Sequence, residues 1–419
     1  NNGSLDGKKW YEFSYQPKLN YSNELDYIEE LDGLIDESVR KRTISDVPLG
    51  AFLSGGLDSS LITHYLNKYH NNLNTFSIGF EDVSFDESKY SRAVSHHLCT
   101  SHHEEIFSTD SMLDLLPNLW NNMDEPFADP SFLPTLILSK FTKNEVTVSL
   151  SGDGGDEIFG GYPTYFAHKI AEWIPPWSVS FLQYFASVLP TNYDNISFDF
   201  KVKQFCKGLS YKNSLRHQYW LGSFNKQQKD ELFLNPFLDR LTKKDNLSYL
   251  INQTMDHEFE GPKWEKYMNQ DMEFYLQDNM LVKVDRASMA HSLEVRVPYL
   301  DHNVVEFMGR VPANLKYRGR TSKYLLKKMG LKYLPSEIVN RTKKGFGIPI
   351  AKWICGPLVQ EFKELISNPN SFINTYFNQQ YNYKLLDDHL KCKVDNRKLL
   401  WTLFVLENWL KNNSFMGSN

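Results

Sequence analysis

Short apolar segments alternate with amphipathic segments over the first third of the chain. Apolar residues recur at three- and four-residue spacings from Glu24 to Arg42, which predicts a helix with one buried face. The segments that follow are, in order, VPLGAFL, a helix from Ser59, LNTFSIGF, a helix near DESKYSRAVSHHL, HHEEIF, a helix from Ser111, and EVTVSL. Strands that alternate with helices in this way are typical of an α/β fold with a doubly wound parallel sheet.

The pattern changes after Gly161. Strand-like alternation becomes scarce, and long stretches up to about Asn408 indicate helices separated by Pro, Gly and Asn. We therefore predict an α/β core over residues 21–161 and a large, mostly helical part over residues 162–419. The apolar window from Trp173 to Pro190, WIPPWSVSFLQYFASVLP, is too short to span a bilayer. We interpret it as a buried helix, with a helix lying on a membrane surface as the alternative.

Charge and cysteine content limit the classes of partner. The chain has 419 residues and a formal net charge of −5, which gives no general attraction to nucleic acid or to an anionic membrane. Its 4 cysteines are scattered without a CxxC pair, which argues against a disulfide framework and a zinc ribbon. We expect a cytoplasmic protein with a small-molecule substrate, no nucleic-acid partner and no membrane span.

The stretch LSGGLDSS lies where the first predicted strand ends and a helix begins. Such a turn offers free backbone N–H groups and the positive end of a helix dipole to an anion, and its glycines let a phosphate approach the backbone. Asp58 would repel that phosphate unless a cation lies between them, which indicates Mg²⁺. The signature GxxxxGK[ST] is missing, so cleavage at the γ-phosphate is not the natural prediction.

A second glycine-rich turn, SLSGDGGDEIFGGY, follows the last predicted strand. The carboxyl ends of parallel strands meet at one edge of a sheet, so both turns are expected to face one ligand site. Asp58 and Asp156 become candidate magnesium ligands, and Asp153 is a candidate for acid–base chemistry.

These motifs resemble the synthetase part of the glutamine-dependent asparagine synthetase family, which belongs to the PP-loop ATP pyrophosphatases. The resemblance runs from about Leu5 to Trp409, and it is carried by VPLGAFLSGGLDSS, FSIGF, DEPFADPS, SLSGDGGDEIFGGY, KVDRASMAHSLEVRVPYLD, SKYLLKK and RTKKGFGIPIAKW. It implies a sheet of the adenine nucleotide alpha-hydrolase type. It also implies attack of a carboxylate on the α-phosphorus of ATP, with release of AMP and pyrophosphate, followed by transfer of ammonia.

The resemblance also implies residue roles. The positions matched to ATP and pyrophosphate are Leu53, Ser54, Gly55, Gly56, Asp58, Ser59, Ser60, Ile78, Ser151 and Gly152. Asp58 and Asp156 match the magnesium side, and Lys323 matches the active-site lysine, whose fixed cation would stabilise charge that develops on the α-phosphate.

The remaining roles are less direct. By the resemblance, Asp153 stands at the ammonia position, where the family often has glutamate; the shorter acid is a departure from the family's pattern. Glu294 and Arg296 are expected either to complete the site, as a catalytic and an acceptor-pocket residue, or to form a buried ion pair that supports the helical region. The motif DEPFADPS supplies further candidates for the acceptor pocket, namely Glu125, Asp129 and Ser131.

Full-length members of the family carry an amino-terminal glutaminase domain that begins with a cysteine. Residue 1 here is Asn1 and the first cysteine is Cys99. We therefore expect residues 1–20 to be a linker remnant, the glutaminase domain to be removed or to lie on a separate chain, and free ammonia to serve as the nitrogen source. The basic run Arg341, Lys343 and Lys344, followed by GFGIP, fits a mobile loop that closes over ATP.

Three classes of function stay open at this point. The first is an amide-forming ligase that makes asparagine from aspartate, or that amidates another acid such as a uronic acid in surface-polysaccharide assembly. The second is another PP-loop adenylating chemistry such as tRNA modification. The third is a non-catalytic nucleotide-binding module.

Overall fold

The computed structural model describes Gly7 and residues 18–195, 197–211, 213–234, 261–342 and 344–413. Most of the predicted linker over residues 1–20 lies outside the described residues, and so does Lys343.

The described residues form one five-stranded sheet in which every neighbouring pair is parallel. Its strands are β1 Leu49–Phe52, β2 Asn74–Phe80, β3 Ser101–Phe107, β4 Val148–Leu150 and β5 Glu294–Arg296. The order across the sheet is β3-β2-β1-β4-β5. The predicted doubly wound parallel sheet is therefore confirmed.

The fifth strand comes from the part of the chain for which we predicted mostly helices. β5 has only 3 residues and adds to the sheet beside β4, with Val148 opposite Glu294. A strand this short cannot show a period of two in its sequence, so its existence depends on the exposed edge of β4.

The strands β1 and β4 lie side by side at the point where the strand order reverses. Ala51 of β1 is opposite Leu150 of β4, so both strands end at the same level. Ligands bind outside the carboxyl ends of the strands at such a switch point, because the two following turns diverge there and leave a crevice.

The first helix shows how local signals set element ends. Asn23 accepts a hydrogen bond from the Leu25 N–H at 3.0 Å, acidic residues occupy the first turn and basic residues the last. The predicted helix from Ser111 is only Thr109–Leu113, because a proline at 117 interrupts it, and the long helix Phe132–Lys143 that precedes β4 was not predicted.

The helices of the described residues are Glu24–Lys41, Leu57–Asn67, Ser88–Leu98, Thr109–Leu113, Leu116–Leu119, Phe132–Lys143, Gly155–Phe159, Pro163–Ala171, Val179–Ser187, Phe198–Gly208, Asn213–Leu221, Lys226–Leu232, Lys263–Gln270, Val282–Met289, His302–Arg310, Ala313–Lys316, Tyr324–Gly330, Ser336–Val339, Ile350–Cys355, Val359–Ser367, Phe372–Tyr376, Gln379–Leu390 and Arg397–Asn413. A π-helix spans Asp271–Leu281, and 3₁₀ turns span Trp120–Asn122, Pro176–Ser178 and Pro298–Leu300.

Two large apolar clusters form the core, and both contain residues from each side of residue 161. One cluster contains Leu53, Leu61 and Leu325, and the other contains Phe76 and Phe404. The helical part therefore shares its core with the sheet. The domain boundary at residue 161 stays a prediction.

The apolar window from Trp173 to Pro190 differs from its predicted burial. Its helix Val179–Ser187 buries only Ala186, while Trp173 and Trp177 are 87% and 83% exposed. The prediction of a buried helix is wrong, because composition reports hydrophobicity but not which surface covers it. No helix among the described residues is long and apolar enough to cross a membrane.

Candidate active site

The turn between β1 and the helix Leu57–Asn67 is held by its own serines. The Ser59 hydroxyl accepts a hydrogen bond from the Ser54 N–H at 3.2 Å and lies 3.0 Å from the Ser54 hydroxyl. Gly55 has φ +68°, and a Cβ there would lie 2.4 Å from the Tyr90 carbonyl carbon. Glycine is required at this position both for the left-handed backbone and for the close approach of the helix Ser88–Leu98.

The turn after β4 touches the first turn directly. A Cβ on Gly152 would lie 2.7 Å from the Ser59 backbone nitrogen, so the two turns pack without a side chain between them. The Ser151 hydroxyl donates a hydrogen bond to the Asp153 carboxylate and accepts one from the Asp153 N–H at 3.1 Å. The two turns therefore form one surface at the switch point of the sheet.

Lys323 joins this surface from the second half of the chain. Its Nζ lies 2.5 Å from Asp58 Oδ2 and 2.6 Å from Asp156 Oδ1, and the residue is 6% exposed. Burial by itself would lower the pKa of Lys323, but the carboxylates of Asp156 and Asp58 outweigh it and raise that pKa above its ordinary value. The side chain is a fixed cation between two carboxylates.

The Asp58–Asp156 pair also has the chemistry to hold Mg²⁺. Mg²⁺ in nucleotide sites ordinarily binds one or two carboxylates and completes its octahedral shell with phosphate oxygens and water. The pair supplies the protein part of such a set. Among the described residues, no group of three or more His, Cys, Asp or Glu side chains is placed to hold a metal ion.

A cavity of about 680 Å³ opens above the two turns. The sequence-predicted residues that line it are Leu53, Ser54, Gly56, Asp58, Ser59, Ile78, Asp129, Ser131, Ser151, Gly152, Asp153, Asp156 and Lys323. Most of the predicted site is thus brought together, although it comes from five separate stretches of sequence.

Two predicted residues of the first turn lie beside the cavity. The Gly55 carbonyl accepts a hydrogen bond from Arg341 Nη1 at 3.1 Å, so this residue supports the back of the turn. Ser60 is fully buried, and its N–H donates to the Gly56 carbonyl within the helix.

The structure places three other candidates away from the cavity. Glu294 and Arg296 lie on β5, where Arg296 Nε is 2.7 Å from Glu294 Oε1. Arg296 Nη1 also donates to the carbonyls of Arg42 and Ile44, each at 2.8 Å, so it ties the sheet edge to the end of the first helix. The two residues do form an ion pair, but it is not buried, because Glu294 is exposed, and it lies on a strand at the edge of the sheet. Glu125 is exposed and does not line the cavity either.

The far end of the cavity contains a second cation, Lys283, which sequence reasoning missed. Lys283 is only 5% exposed, lines the cavity, and donates to the thioether of Met280 at 3.6 Å. Among the described residues it forms no ion pair. The signal for it was its position in the sequence: Lys283 follows the apolar residues MLV and is the first residue of the motif KVDRASMAHSLEVRVPYLD.

Asp129 lies near Lys283 and is fixed by hydrogen bonds. Its Oδ1 accepts from the Ser131 N–H at 2.8 Å and hydroxyl at 2.6 Å, and its Oδ2 accepts from Asn279 at 2.8 Å. Burial would raise the pKa of Asp129, but the Lys283 ammonium and these hydrogen bonds lower it below its ordinary value. This end of the cavity therefore has a fixed carboxylate and a cation without an ion-pair partner.

The chain is similar to known proteins over most of its length. The family model described as asparagine synthase matches residues 30–411. The chain belongs to the asparagine synthase family. It is 30% identical over 410 residues to asparagine synthetase [glutamine-hydrolyzing] 1 of Bacillus subtilis, covering 97% of this chain and 62% of the relative.

Two further relatives differ from the first in their names and in the length of the match. A putative asparagine synthetase [glutamine-hydrolyzing] 2 of Methanocaldococcus jannaschii is 35% identical over 271 residues, covering 62% of this chain and 49% of the relative. Amidase chyE of Penicillium rubens is 23% identical, covering 87% of this chain and 59% of the relative. The chain therefore spans between about half and about three-fifths of the length of each of these three relatives.

Proposed function

We propose that this chain is an ATP-dependent amide-forming ligase that adenylates a carboxylate and transfers ammonia to it. The observation that carries the proposal is the position of Lys323, whose ammonium is fixed between Asp58 and Asp156 at the meeting point of two phosphate-type turns. A cation held at this point stabilises negative charge that develops on a phosphate in the turn.

The first chemical step forms an acyl adenylate. ATP lies in the cavity with its adenosine against Leu53 and Ile78 and its β- and γ-phosphates in the Ser54–Ser60 turn. An oxygen of the acceptor carboxylate attacks the α-phosphorus, the bond from that phosphorus to the bridging oxygen breaks, and pyrophosphate leaves. Lys323 stabilises the charge that builds on the phosphates, and Mg²⁺ held by Asp58 and Asp156 would neutralise the departing pyrophosphate.

The second step forms the amide. Ammonia attacks the acyl carbon, the bond to the AMP oxygen breaks, and AMP leaves with that electron pair. The attacking nitrogen loses a proton, and we assign its acceptance to Asp153, a carboxylate of the second turn that lines the cavity. The acceptor therefore leaves one of its carboxylate oxygens on AMP.

Lys283 suggests which acceptors fit. Lys283 is 5% exposed and makes no direct ion pair in the described part of the chain, although Asp129 lies near it, and this supports a ligand with a negative group at that end. One carboxylate of the acceptor is consumed in the reaction, so the group opposite Lys283 is a second one. A dicarboxylate such as aspartate fits this arrangement better than a uronic acid, which has a single carboxylate.

A product assay tests the proposal. The chain is incubated with ATP, Mg²⁺ and ammonium, and a panel of acids is varied, including aspartate, glutamate and uronic acids. We expect AMP and pyrophosphate, with ¹⁸O from the labelled carboxylate found in AMP. ADP with inorganic phosphate would refute the mechanism, and no acceptor-dependent turnover would favour a binding module. Turnover only with tRNA would favour the other PP-loop chemistries.

Matched lysine variants separate the two cationic positions. Lys283→Met should raise KM for the acceptor at least tenfold and leave KM for ATP within about twofold, because the lost hydrogen bond is to a charged group of the acceptor. Lys283→Arg should restore part of the acceptor affinity. Lys140→Met, which removes an exposed lysine from the helix Phe132–Lys143, is the control. Equal effects of Lys283→Met on both substrates would remove Lys283 from the acceptor site.

A further inference from the structure

A second cavity of about 590 Å³ lies beside the catalytic one, behind the first glycine-rich turn. We call it the basic vestibule. Its lining residues are Lys89, Tyr90, Asn195, Lys201, Glu337, Arg341, Thr342 and Lys344. Four of these side chains are cationic and one is acidic, in a chain whose net charge is −5. Positive charge is therefore concentrated at this place.

Arg341 forms the wall between the two cavities. Its guanidinium donates to the Gly55 carbonyl, pairs with Glu87, and lies 4.2 Å from the centre of the Tyr90 ring. Lys201 and Lys344 also line both cavities. Arg341 therefore separates the turn around Gly55 from the vestibule, and an anion that leaves the turn passes this residue to enter the vestibule.

Positive charge outweighs negative charge in the vestibule, because three lysines and Arg341 line it together with Glu337. Among the described residues none of Lys89, Lys201 and Lys344 forms an ion pair. Lys89 lies over the Tyr90 ring at 4.7 Å, and Lys344 donates to the Ser84 carbonyl at 3.3 Å. Like charges held around one concave space repel one another and attract anions into it.

We infer that the basic vestibule binds phosphate-type anions, and that its ligand is the pyrophosphate released from the catalytic cavity. This inference rests on the proposed function, because an AMP-forming reaction must discharge pyrophosphate from the Ser54–Ser60 turn. Ammonium groups bind phosphate oxygens by charge-assisted hydrogen bonds, and several of them match the high charge of pyrophosphate. A phosphate group on the acceptor shares this chemistry.

A binding experiment tests the vestibule without requiring turnover. The chain is first saturated with Mg²⁺ and α,β-methylene ATP, which fills the catalytic cavity and cannot be cleaved. Pyrophosphate is then titrated calorimetrically. We expect one further site, and we expect the double variant Lys89→Gln/Lys201→Gln to bind at this site at least tenfold more weakly. Lys89→Arg, which keeps the charge, should retain most of the affinity.

The same calorimetric titration is carried out on a control variant and with a second anion. Lys363→Gln removes an exposed lysine on the helix Val359–Ser367 and should change nothing. Both altered lysines are exposed, so melting temperatures should match that of the native chain. Titration with a hexose 1-phosphate distinguishes the two sources, because tighter pyrophosphate binding assigns the vestibule to the leaving group and tighter ester binding assigns it to the acceptor.

No second site for either anion, or an affinity that the double variant leaves unchanged, overturns the inference. If the chain forms AMP and pyrophosphate but shows no second site, only the vestibule is rejected. If it binds the second anion but never forms these products, only the proposed function is rejected.

Discussion

Replacing Lys323 by methionine tests the electrostatic centre of the site. The variant keeps an unbranched side chain that is one atom shorter, and it removes the cation that lies 2.5 and 2.6 Å from two carboxylate oxygens. Removing one partner of a buried ion pair typically costs 3–5 kcal/mol, because the remaining charges stay desolvated. Asp58 and Asp156 are 22% and 19% exposed, so we expect the lower end, about 3 kcal/mol.

Two assays follow from that value. A loss of about 3 kcal/mol in a chain of 419 residues lowers the melting temperature by about 3–4 °C. Mg²⁺ should restore more of this loss in the variant than it adds to the native chain, because Lys323 no longer competes with it for the carboxylates of Asp58 and Asp156. Turnover should fall by about 10²–10³, the usual cost of removing a group that stabilises developing charge, while KM for ATP changes much less.

A buried lysine outside the cavity supplies the control. Lys316 is 1% exposed, lies 2.6 Å from Glu265 and is not among the residues that line the cavity. Lys316→Met should also lower the melting temperature, but Mg²⁺ should not restore it and turnover should be unaffected. If Lys323→Met keeps the native melting temperature and native turnover, the reasoning is refuted.

Three further predictions concern other parts of the molecule. Asp58→Asn should raise KM for Mg-ATP about tenfold or more, with partial recovery at high Mg²⁺, and an unchanged magnesium dependence would argue against Asp58 as a ligand. Gly152→Ala should cost about 1–3 kcal/mol in urea unfolding and weaken nucleotide binding, since its Cβ meets Ser59 N at 2.7 Å, whereas Gly33→Ala meets nothing within 4 Å and should be neutral or stabilising. Burial, and then the neighbouring His217, lower the pKa of His168 to about 2, so the folded chain stays unprotonated there while the unfolded chain binds a proton below pH 6.5. The stability contributed by His168 is complete above pH 6.5 and falls by about 2 kcal/mol at pH 5; His168→Gln should flatten the pH dependence of urea unfolding by that amount, and an unaltered slope would contradict the assignment.

The parallel sheet could be predicted from the sequence, but its fifth strand could not. The sequence patterns of β1 to β4 are local, since each strand has its own apolar run and its own flanking turn. β5 has no such pattern, because its three residues become a strand only where the edge of β4 is available. The segment from Trp173 to Pro190 failed for the opposite reason, because its strong local hydrophobicity does not state whether another surface covers it.

The candidate site divides in the same way. Asp129 and Ser131 line the cavity as the resemblance implied, while Glu294 and Arg296, which lie in an equally specific motif, face the edge of the sheet. A motif reports that residues matter, but it does not report the direction of each side chain. Lys283 lies in the same motif and was overlooked, because a lysine in a helix is usually solvated unless packing buries it.

The sequence by itself determined the two phosphate-type turns and the demand for a cation beside Asp58, because turn geometry and the repulsion between a carboxylate and a phosphate depend on neighbours in the chain. The resemblance singled out Lys323, but only the tertiary structure shows that its ammonium lies between Asp58 and Asp156. Lys323 and Asp58 are 265 residues apart in sequence, and their contact exists because the helical part shares its core with the sheet. The burial of Lys283, the position of the basic vestibule and the exposure of the aromatic segment were likewise decided by packing between distant elements, which no local pattern encodes.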